Sequence, residues 1–325
     1  MSSCKRCLNR AEIYLPYAGL SLCSNCFKDF YWNRVKKTVE EFKMFKRGDR
    51  VAVAVSGGKD SGALLHALRS VYPNQDMVAV HLNLGIKKYS DHCQTRVEEL
   101  TDSLNVKLKV VKLEDYGYTI DDFQKTRFKS KMCSICGLVK RHILDRVVQD
   151  LSATVQATGH NLDDVVGTML TTFFSGDLLQ LSRLKPVLAP KHPSQNVKVK
   201  PLIKTPEFEN LIYCCFFDVP FRSLNCPHSR GTHSRRSKRL LEELSKGNAH
   251  FRQQTLSLFL ARLIPIVESK LPQKPLLECQ VCGMPSSNPV CAYCKRIGDL
   301  MVIKQPSRGL RRETEVSETS PRIQQ

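Results

Sequence analysis

The sequence has no long apolar run. Although 42% of its 325 residues are hydrophobic, no stretch approaches the roughly 18 consecutive apolar residues that a membrane span requires. The N-terminal segment MSSCKRCLNRAEIYLP also lacks the apolar core of a secretory signal peptide. We therefore expect a cytoplasmic protein with no membrane partner.

Acidic residues are also in short supply, which leaves the chain strongly basic. Lysine and arginine number 50 against 31 aspartate and glutamate residues, and the formal net charge is +19 at pH 7. For an intracellular protein, such an excess favours nucleic acid as a polyanionic partner. A solvated basic face without a partner is the alternative that composition leaves open.

Cysteine, by contrast, is abundant. Fourteen cysteines in a cytosolic chain of this size indicate metal binding rather than disulfides. Eight of them form two sets of paired CxxC motifs: Cys4, Cys7, Cys23 and Cys26, then Cys279, Cys282, Cys291 and Cys294. Each set offers four thiolates at spacings that close a tetrahedral structural zinc site, so we predict two zinc ions. Redox-active CxxC pairs are the alternative.

The segment 51–61, VAVAVSGGKDS, predicts a phosphate-binding turn. Its first five residues have the pattern of a short buried strand, and a helical pattern follows the glycines. Gly57 and Gly58 would let backbone N–H groups close on an anion at the positive end of the helix, and Lys59 adds a cation. The loop is not GxxxxGK[ST], because it is shorter and Asp60 follows the lysine. A glycine-rich turn on an ordinary α/β sheet is the alternative.

Strand and helix patterns alternate after this loop and predict an α/β fold with a doubly wound parallel sheet. Further strands are expected at 77–84, 106–113 and 154–158. In such sheets ligands bind beyond the carboxyl ends of the strands. The three segments that lie at such ends should therefore converge: 56–61, 81–85 and 159–164.

Other segments flank this core. The predicted units are an N-terminal zinc module at 1–28, the α/β domain with a linker helix (31–45) at 29–200, a mainly helical RNA-binding region at 201–275, a second zinc module at 276–300 and a disordered tail at 301–325. Several prolines break the basic stretch after residue 176, which we predict to be a loop.

A third group of cysteines has no fourth member. Cys133-Ser-Ile-Cys136 stands just before a helical pattern, and Cys226 lies much later in the chain. Three thiolates cannot close a structural zinc site, but they could hold a 4Fe–4S cluster with one open iron. They could also be redox or persulfide-carrying cysteines, with pKa values lowered by the helix N-terminus and by basic neighbours. A buried CxxC beside an unrelated cysteine is the third alternative.

SGGKDS resembles the PP-loop of ATP pyrophosphatases, which have an adenine nucleotide alpha hydrolase-like fold. From Cys4 to about Arg296 the chain resembles the PP-loop tRNA 2-thiouridine synthetases, archaeal and thermophile tRNA uridine 2-sulfurtransferases related to the cytosolic tRNA 2-thiolation proteins. The resemblance rests on both four-cysteine sets and on the motifs SGGKDS, HLNLGI, CSICGLVKR, ATGHNLDD, NCPHSRGT and CGMPSSNPVCAYCK.

The resemblance implies an activity. Such an enzyme adenylates the C2 oxygen of a uridine with ATP, releases pyrophosphate and transfers sulfur through a 4Fe–4S cluster, here on Cys133, Cys136 and Cys226. The product would be 2-thiouridine or 2-thioribothymidine. Lys140 and Asp164 match positions linked to catalysis in the family, and we add Asp60.

We also predict the remaining site residues and partners. The ATP-binding residues are Ala54, Ser56, Gly57, Gly58, Lys59, Asp60, Ser61, His81, Gly159 and His160, with Asp60 and Asp164 as magnesium ligands. tRNA should lie over the basic stretches 125–146, 183–204 and 230–239. The sulfur would come from a ubiquitin-like carrier protein or from free sulfide, and a homodimer is left open. Both T-loop and wobble uridines are used in this broad family, and CPHSRGT favours the T-loop.

Two other functions stay open from the sequence. A non-catalytic zinc and RNA-binding module could keep a PP-loop for nucleotide-dependent docking alone. Another PP-loop amidating enzyme, such as a lysidine-type synthetase, would need no third cysteine group, so the cysteines argue against it.

Overall fold

The computed structural model describes residues 3–229, 233–271 and 275–304, with the side chains of 233–235 outside that description. The strands are β1 (Ile13–Leu15), β2 (Leu20–Leu22), β3 (Arg50–Ala54), β4 (Asp76–Asn83), β5 (Lys107–Lys112), β6 (Val155–Ala157), β7 (Val187–Leu188), β8 (Val197–Val199), β9 (Leu277–Glu278) and β10 (Pro285–Ser286). The helices are α1 (Ser24–Glu41), α2 (Lys59–Val71), α3 (Tyr89–Ser103), α4 (Met132–Asp150), α5 (Leu162–Phe174), α6 (Leu178–Leu181), α7 (Glu207–Phe216), α8 (His233–Leu244), α9 (Phe251–Leu258), α10 (Ile264–Lys270) and α11 (Ala292–Lys304).

Within the described residues, a six-stranded sheet has the order β5-β4-β3-β6-β8-β7. All its neighbouring strands pair in parallel except β7, which runs antiparallel to β8 at the edge. Val51 and Val53 pack on one face with the residues of α1 and α2, whereas Ala52 packs on the other face with those of α4. Helices therefore cover both faces of a mainly parallel sheet, which confirms the α/β prediction.

The basic stretch after residue 176 is not the loop that we predicted. It contains α6 and the two strands β7 and β8, which extend the sheet beyond β6. Both strands are too short to show a period in the sequence. Pro186 and Pro190 flank β7, and proline is tolerated there because an edge strand does not need every backbone N–H for pairing.

Helix α1 joins the N-terminal cysteine module to the α/β core. It begins directly after Cys23 rather than at residue 31, so the predicted boundary after residue 28 falls inside a helix. Its fully buried residues include Phe27, Tyr31 and Val35, which pack into the core beside α2. Tyr31 stacks on Tyr213 of α7 with a centroid distance of 4.1 Å. Helix α7, which lies at the start of the predicted helical region 201–275, thus packs with the core of the α/β domain.

Helix α11 continues past the predicted start of the tail at residue 301. Met301 packs against the core around α4, and the Lys304 ammonium lies 2.7 Å from a carboxylate oxygen of Asp122. These contacts hold the last turn of the helix. The rest of the predicted tail, 305–325, lies outside the described residues. Among the described helices, none has the length and apolar character of a membrane span.

Candidate active site

The glycine-rich loop is closed onto the first turn of α2. The Ser61 hydroxyl accepts from the N–H of Ser56 at 3.0 Å and donates to the carbonyl of Gly58 at 3.0 Å. Gly57 has φ +75°, and a Cβ there would lie 2.7 Å from the carbonyl oxygen of Cys93. No other residue fits at Gly57 without strain. The loop therefore presents its backbone N–H groups at the N-terminus of a helix, where an anion is stabilised.

Residues from the neighbouring strand ends meet at this loop. Because β4 and β6 flank β3, His81 and Gly159 both approach the residues that follow β3. A Cβ on Gly159 would lie 3.0 Å from the Asp60 carbonyl carbon, so a larger residue there would push against the backbone of the loop. His160 is exposed, with its Nδ1 2.8 Å from the Thr158 hydroxyl.

His81 is a buried, neutral imidazole, and only one of its two ring nitrogens has a hydrogen-bond partner among the described residues. Its Nδ1 lies 2.8 Å from the carbonyl of Val55, which can only accept, so Nδ1 carries the proton. Burial lowers the pKa of His81 because it disfavours the charged ring. Within the described residues, the buried Nε2 has no hydrogen-bond partner. An acceptor nitrogen without a partner at the strand ends fits a site for a polar ligand group.

A chain of alternating charges runs from the loop to α5, α7 and α8. Lys59 binds a carboxylate oxygen of Asp60 at 2.9 Å and one of Glu207 at 2.7 Å. Lys238 binds the other oxygen of Glu207 at 2.7 Å and one of Asp164 at 2.8 Å. Hydrogen bonds from Lys238 and Lys59 lower the pKa of Glu207, although burial opposes this. Burial raises the pKa of Asp164 despite the charge of Lys238.

One carboxylate oxygen of Asp60 has a structural role. It accepts from the side-chain amides of Asn161 at 3.0 Å and Asn210 at 2.9 Å, and both asparagines are fully buried. Asn161 also caps α5 by accepting from the N–H of Asp164 at 2.9 Å. These contacts bring the two predicted magnesium ligands, Asp60 and Asp164, to the same end of the sheet.

Glu207 and Lys238 were missed as site residues. We assigned Lys238 to RNA together with the stretch 230–239, but its ammonium points inward to two carboxylates. The cause is the packing of α8 on α5, where a Cβ on Gly167 would lie 3.4 Å from the Cβ of Ser237. Glu207 begins α7 without any local motif, so no signal in the sequence could have found it.

The third cysteine group gathers at the start of α4. Cys133 and Cys136 lie on the first turns of α4, and Cys226 directly precedes a helical turn at Pro227–Ser229. The Cys133 thiol lies 3.2 Å from the carbonyl of His228. The turn that follows Cys226 thus packs on the first turns of α4, beside the CxxC pair.

Burial, rather than nearby charge, sets the acidity of Cys136. Burial raises the pKa of this thiol, and the opposing charge of Lys140 is a smaller effect. The expectation of a lowered pKa at Cys136 was wrong, because the side chain packs against the apolar core around α4. Lys140 itself is exposed, one turn further along the helix.

The two four-cysteine sets are compact. In each set the four sulfur atoms lie within 4.8 Å of one another. Backbone N–H groups point at the sulfurs, as from Cys291 to Cys279 at 3.2 Å. Although burial opposes it, such N–H groups lower the pKa of Cys4 to about 6 and that of Cys279 to about 6. Four sulfur atoms at this spacing, with backbone N–H groups directed at them, fit a tetrahedral ion.

No such tight group includes Cys133, Cys136 and Cys226 among the described residues. Three thiolates cannot close a tetrahedral structural zinc site, so the donor set itself is chemically better suited to a 4Fe–4S cluster with one open iron.

Several basic residues assigned to RNA are neutralised within the protein. Lys185 pairs with Glu268 at 2.7 Å, and Lys198 pairs with Asp145 at 2.6 Å. Lys200 is buried, and burial lowers its pKa to about 8. The stretch 183–204 thus offers few free charges, because β8 and its flanks lie inside the fold. Among the described side chains, the exposed basic residues near the cysteine site and on α8 include Lys129, Lys131, Lys140, Arg141, Arg236 and Arg239.

A parallel sheet with a glycine-rich anion loop at its central strand, converging strand ends and a lysine beside the loop defines a PP-loop nucleotide-binding domain. A family profile described as "PP-loop domain" matches residues 31–219 and agrees with this class. A second profile, "2-thiouridine synthetase TtuA, N-terminal LIM domain", matches the N-terminal cysteine module at residues 3–28.

Similar proteins narrow the class further. The chain is 31% identical over 293 residues to tRNA-5-methyluridine(54) 2-sulfurtransferase of Pyrococcus horikoshii, covering 90% of this chain and 92% of that protein. It is 30% identical over 298 residues to cytoplasmic tRNA 2-thiolation protein 1 of Drosophila mojavensis, covering 90% and 86%. The structure of the U34-tRNA thiolase NcsA from Methanococcus maripaludis, with its [4Fe-4S] cluster, matches with a TM-score of 0.78 and 25% identity over 92% of this chain and 97% of that one. The chain belongs to this family of PP-loop tRNA 2-thiolation proteins.

Proposed function

We propose that this protein is a tRNA uridine 2-sulfurtransferase that activates the uridine with ATP. One observation carries the proposal: the loop and the third cysteine group are joined by a short segment. The N–H of Arg222 donates to the carbonyl of Gly57 at 2.7 Å, and Cys226 follows four residues later. An extended chain of that length spans at most about 14 Å. A base activated at the loop would therefore lie within reach of the cysteines.

The nucleotide half of the site would bind ATP. The backbone N–H groups of Gly57 to Ser61 and the Lys59 ammonium would hold the phosphates. Ala54, Ser56, Gly159 and His160 would line the nucleotide around them. His81 would offer its Nε2 to a donor on the adenosine, since this atom has no partner among the described residues.

Asp60 and Asp164 would hold magnesium, which offsets charge on the leaving pyrophosphate when it is bound. The second carboxylate oxygen of Asp60 faces Lys59, and Asp164 faces Lys238. The two lysines neutralise these carboxylates in the structure and keep them in place. Catalytic roles for Asp60 and Asp164 follow from this position beside the loop.

The sulfur half of the site would be Cys133, Cys136 and Cys226. These thiolates would hold a 4Fe–4S cluster, whose open iron supplies a place for sulfide. Lys140, exposed one turn after Cys136, would stabilise negative charge that develops on the uridine when sulfur adds to C2. A ubiquitin-like sulfur carrier or free sulfide would deliver the sulfur. The cytoplasm is the proposed location, supported by relatives named cytoplasmic tRNA 2-thiolation proteins.

Reconstitution tests the function. Anaerobically purified protein, with ATP, magnesium, sulfide and tRNA that carries 5-methyluridine in the T-loop but no thiolated uridine, should form AMP, pyrophosphate and thiolated nucleoside together. Mass spectrometry should find 2-thioribothymidine from the T-loop, as the names of the sulfurtransferase relatives suggest. A 2-thiouridine in the anticodon would instead assign the wobble position. ATP binding without any turnover would favour the docking module, and turnover without sulfur incorporation would favour an amidating enzyme.

The four-cysteine sets should hold zinc. Protein purified without chelators should contain about two zinc ions per chain, one for each set of four thiolates. Replacing Cys4 with serine should lower this to about one and destabilise the N-terminal module, because the remaining thiolates no longer close a tetrahedron. Elemental analysis measures the metal, with Cys215→Ser as the control on an exposed cysteine of α7 outside every set. A folded chain free of zinc would contradict the assignment.

The exposed arginines of α8 should contact RNA phosphates. Replacing Arg236 and Arg239 together with alanine should weaken tRNA binding and flatten its salt dependence by about 1–2 units of slope, since each phosphate contact releases counterions. Binding curves at several salt concentrations measure this. The control replaces Lys36 and Lys37, which are equally exposed on α1. An unchanged slope in the arginine variant would place the RNA elsewhere.

A further inference from the structure

The segment before Cys226 lies directly across the glycine-rich loop. Besides the bond from Arg222 to Gly57, the carbonyl of Pro220 lies 3.3 Å from the position of a Cβ on Gly62. The N–H of Ser223 donates to Nε2 of His92 at 3.2 Å. Contacts on both sides of Arg222 thus fix its backbone against the glycine-rich loop, the start of α2 and the start of α3.

The side chain of Arg222 is held so that one edge faces the loop. Its guanidinium lies over the ring of Tyr89, 5.4 Å from the centroid. Its Nη1 donates to the carbonyl of Leu224 at 2.8 Å. The Nε and Nη2 atoms lie 3.7 and 3.9 Å from the position of a Cβ on Gly58. Two donors therefore lie beside Gly58, whose backbone N–H belongs to the proposed anion site.

No carboxylate forms an ion pair with Arg222 in the described part of the chain. The two lysines nearest the loop differ in this respect, because Lys59 and Lys238 are both bound to carboxylates. A guanidinium fixed by a ring and a carbonyl, with two donors directed to an anion loop, matches the planar fork that binds phosphate oxygens.

We propose that Arg222 is a further ATP-binding residue, whose Nε and Nη2 groups contact a phosphate of ATP on the side of the loop that faces the cysteines. The inference rests on the proposed function in taking ATP as the source of the phosphate. In this position Arg222 offsets charge on the nucleotide on the side of the loop nearer the cysteines, whereas Lys59 lies on the side of Asp60 and Glu207.

Binding of ATP without tRNA tests the proposal. Arg222→Gln should weaken the affinity for a non-hydrolysable ATP analogue about 10- to 100-fold, the loss expected for charge-assisted hydrogen bonds. Arg222→Lys should recover part of this, because it keeps the charge but loses the fork. Arg69→Gln, at the far end of α2 where Arg69 donates to the carbonyl of Pro73, should bind like the wild type. Iron content and tRNA affinity should stay unchanged in all three variants.

The inference would be overturned if Arg222→Gln bound the ATP analogue with wild-type affinity while Lys59→Ala, measured in the same assay, bound it more weakly. Reduced tRNA affinity with normal ATP binding would also overturn it, by assigning Arg222 to an RNA phosphate. If Arg222→Gln fails to fold, Arg222→Lys is measured instead: a reduced affinity for the ATP analogue supports the inference, and a wild-type affinity overturns it. A wild-type protein that binds ATP but never thiolates tRNA would refute the proposed function and leave the role of Arg222 standing.

Discussion

Replacing Lys59 with alanine should reduce tRNA-dependent pyrophosphate release about 100-fold or more, because the loop loses the cation nearest the phosphates. The fold should survive. Glu207 keeps its bond to Lys238 at 2.7 Å, so the stability lost with Lys59 is only about 1 kcal/mol. Pyrophosphate release in single turnovers and a thermal melt together measure both effects.

The control for this variant is Lys36→Ala, which removes an exposed lysine of α1 whose pairing with Glu40 is 4.0 Å long. Asp60→Ala is a poorer test, because it also strips two buried asparagine amides of their acceptor. Asp60→Asn keeps most of that packing and is the better probe of the carboxylate. Near-normal pyrophosphate release by Lys59→Ala would refute the assignment of SGGKDS to ATP chemistry.

Replacing Cys226 with alanine should abolish thiolation and remove the iron. Wild-type protein purified without oxygen should be brown and hold about four iron atoms per chain. The variant loses one of three thiolates, so both colour and iron should fall to background. ATP binding should persist, because Cys226 lies outside the glycine-rich loop. Iron analysis, the absorbance spectrum and nucleoside mass spectrometry measure the three outcomes.

The matched control is Cys215→Ala, which removes an exposed cysteine outside the three groups. A persulfide mechanism predicts a colourless but active wild-type enzyme with a trappable persulfide on one of the three cysteines. Full activity of iron-free protein would rule out the cluster and leave tRNA thiolation intact. The raised pKa of Cys136 disfavours a free thiolate at that position unless a metal binds it.

Local features of the chain could be predicted from the sequence. Each four-cysteine set is two CxxC pairs, so most of its geometry is fixed within a few residues. The glycine-rich loop follows a short apolar run, and the need for glycine at 57 is a property of that turn alone. The strands β3, β4 and β5 were found because their apolar runs are long enough to show a pattern.

Other predictions failed where long-range packing decides the outcome. Lys238 has the sequence context of a surface cation, yet packing of α8 on α5 turns it to Asp164 and Glu207. The lysines of the 183–204 stretch look free for RNA, but Lys198 pairs with Asp145 because β8 lies beside β6. Neither ion pair can be predicted from residue spacing, because the two partners are far apart in the sequence.

The sequence by itself determined the phosphate loop, the two four-cysteine sets and the alternation of strands and helices, because each depends on residues close together in the chain. Only the tertiary structure decided which side chains share the charges at the loop, and that Arg222 lies across Gly58. It also decided that burial outweighs positive charge at Cys136. The physical reason is that ion pairing and desolvation depend on which helices pack together, and hydrophobic periodicity does not encode those pairings.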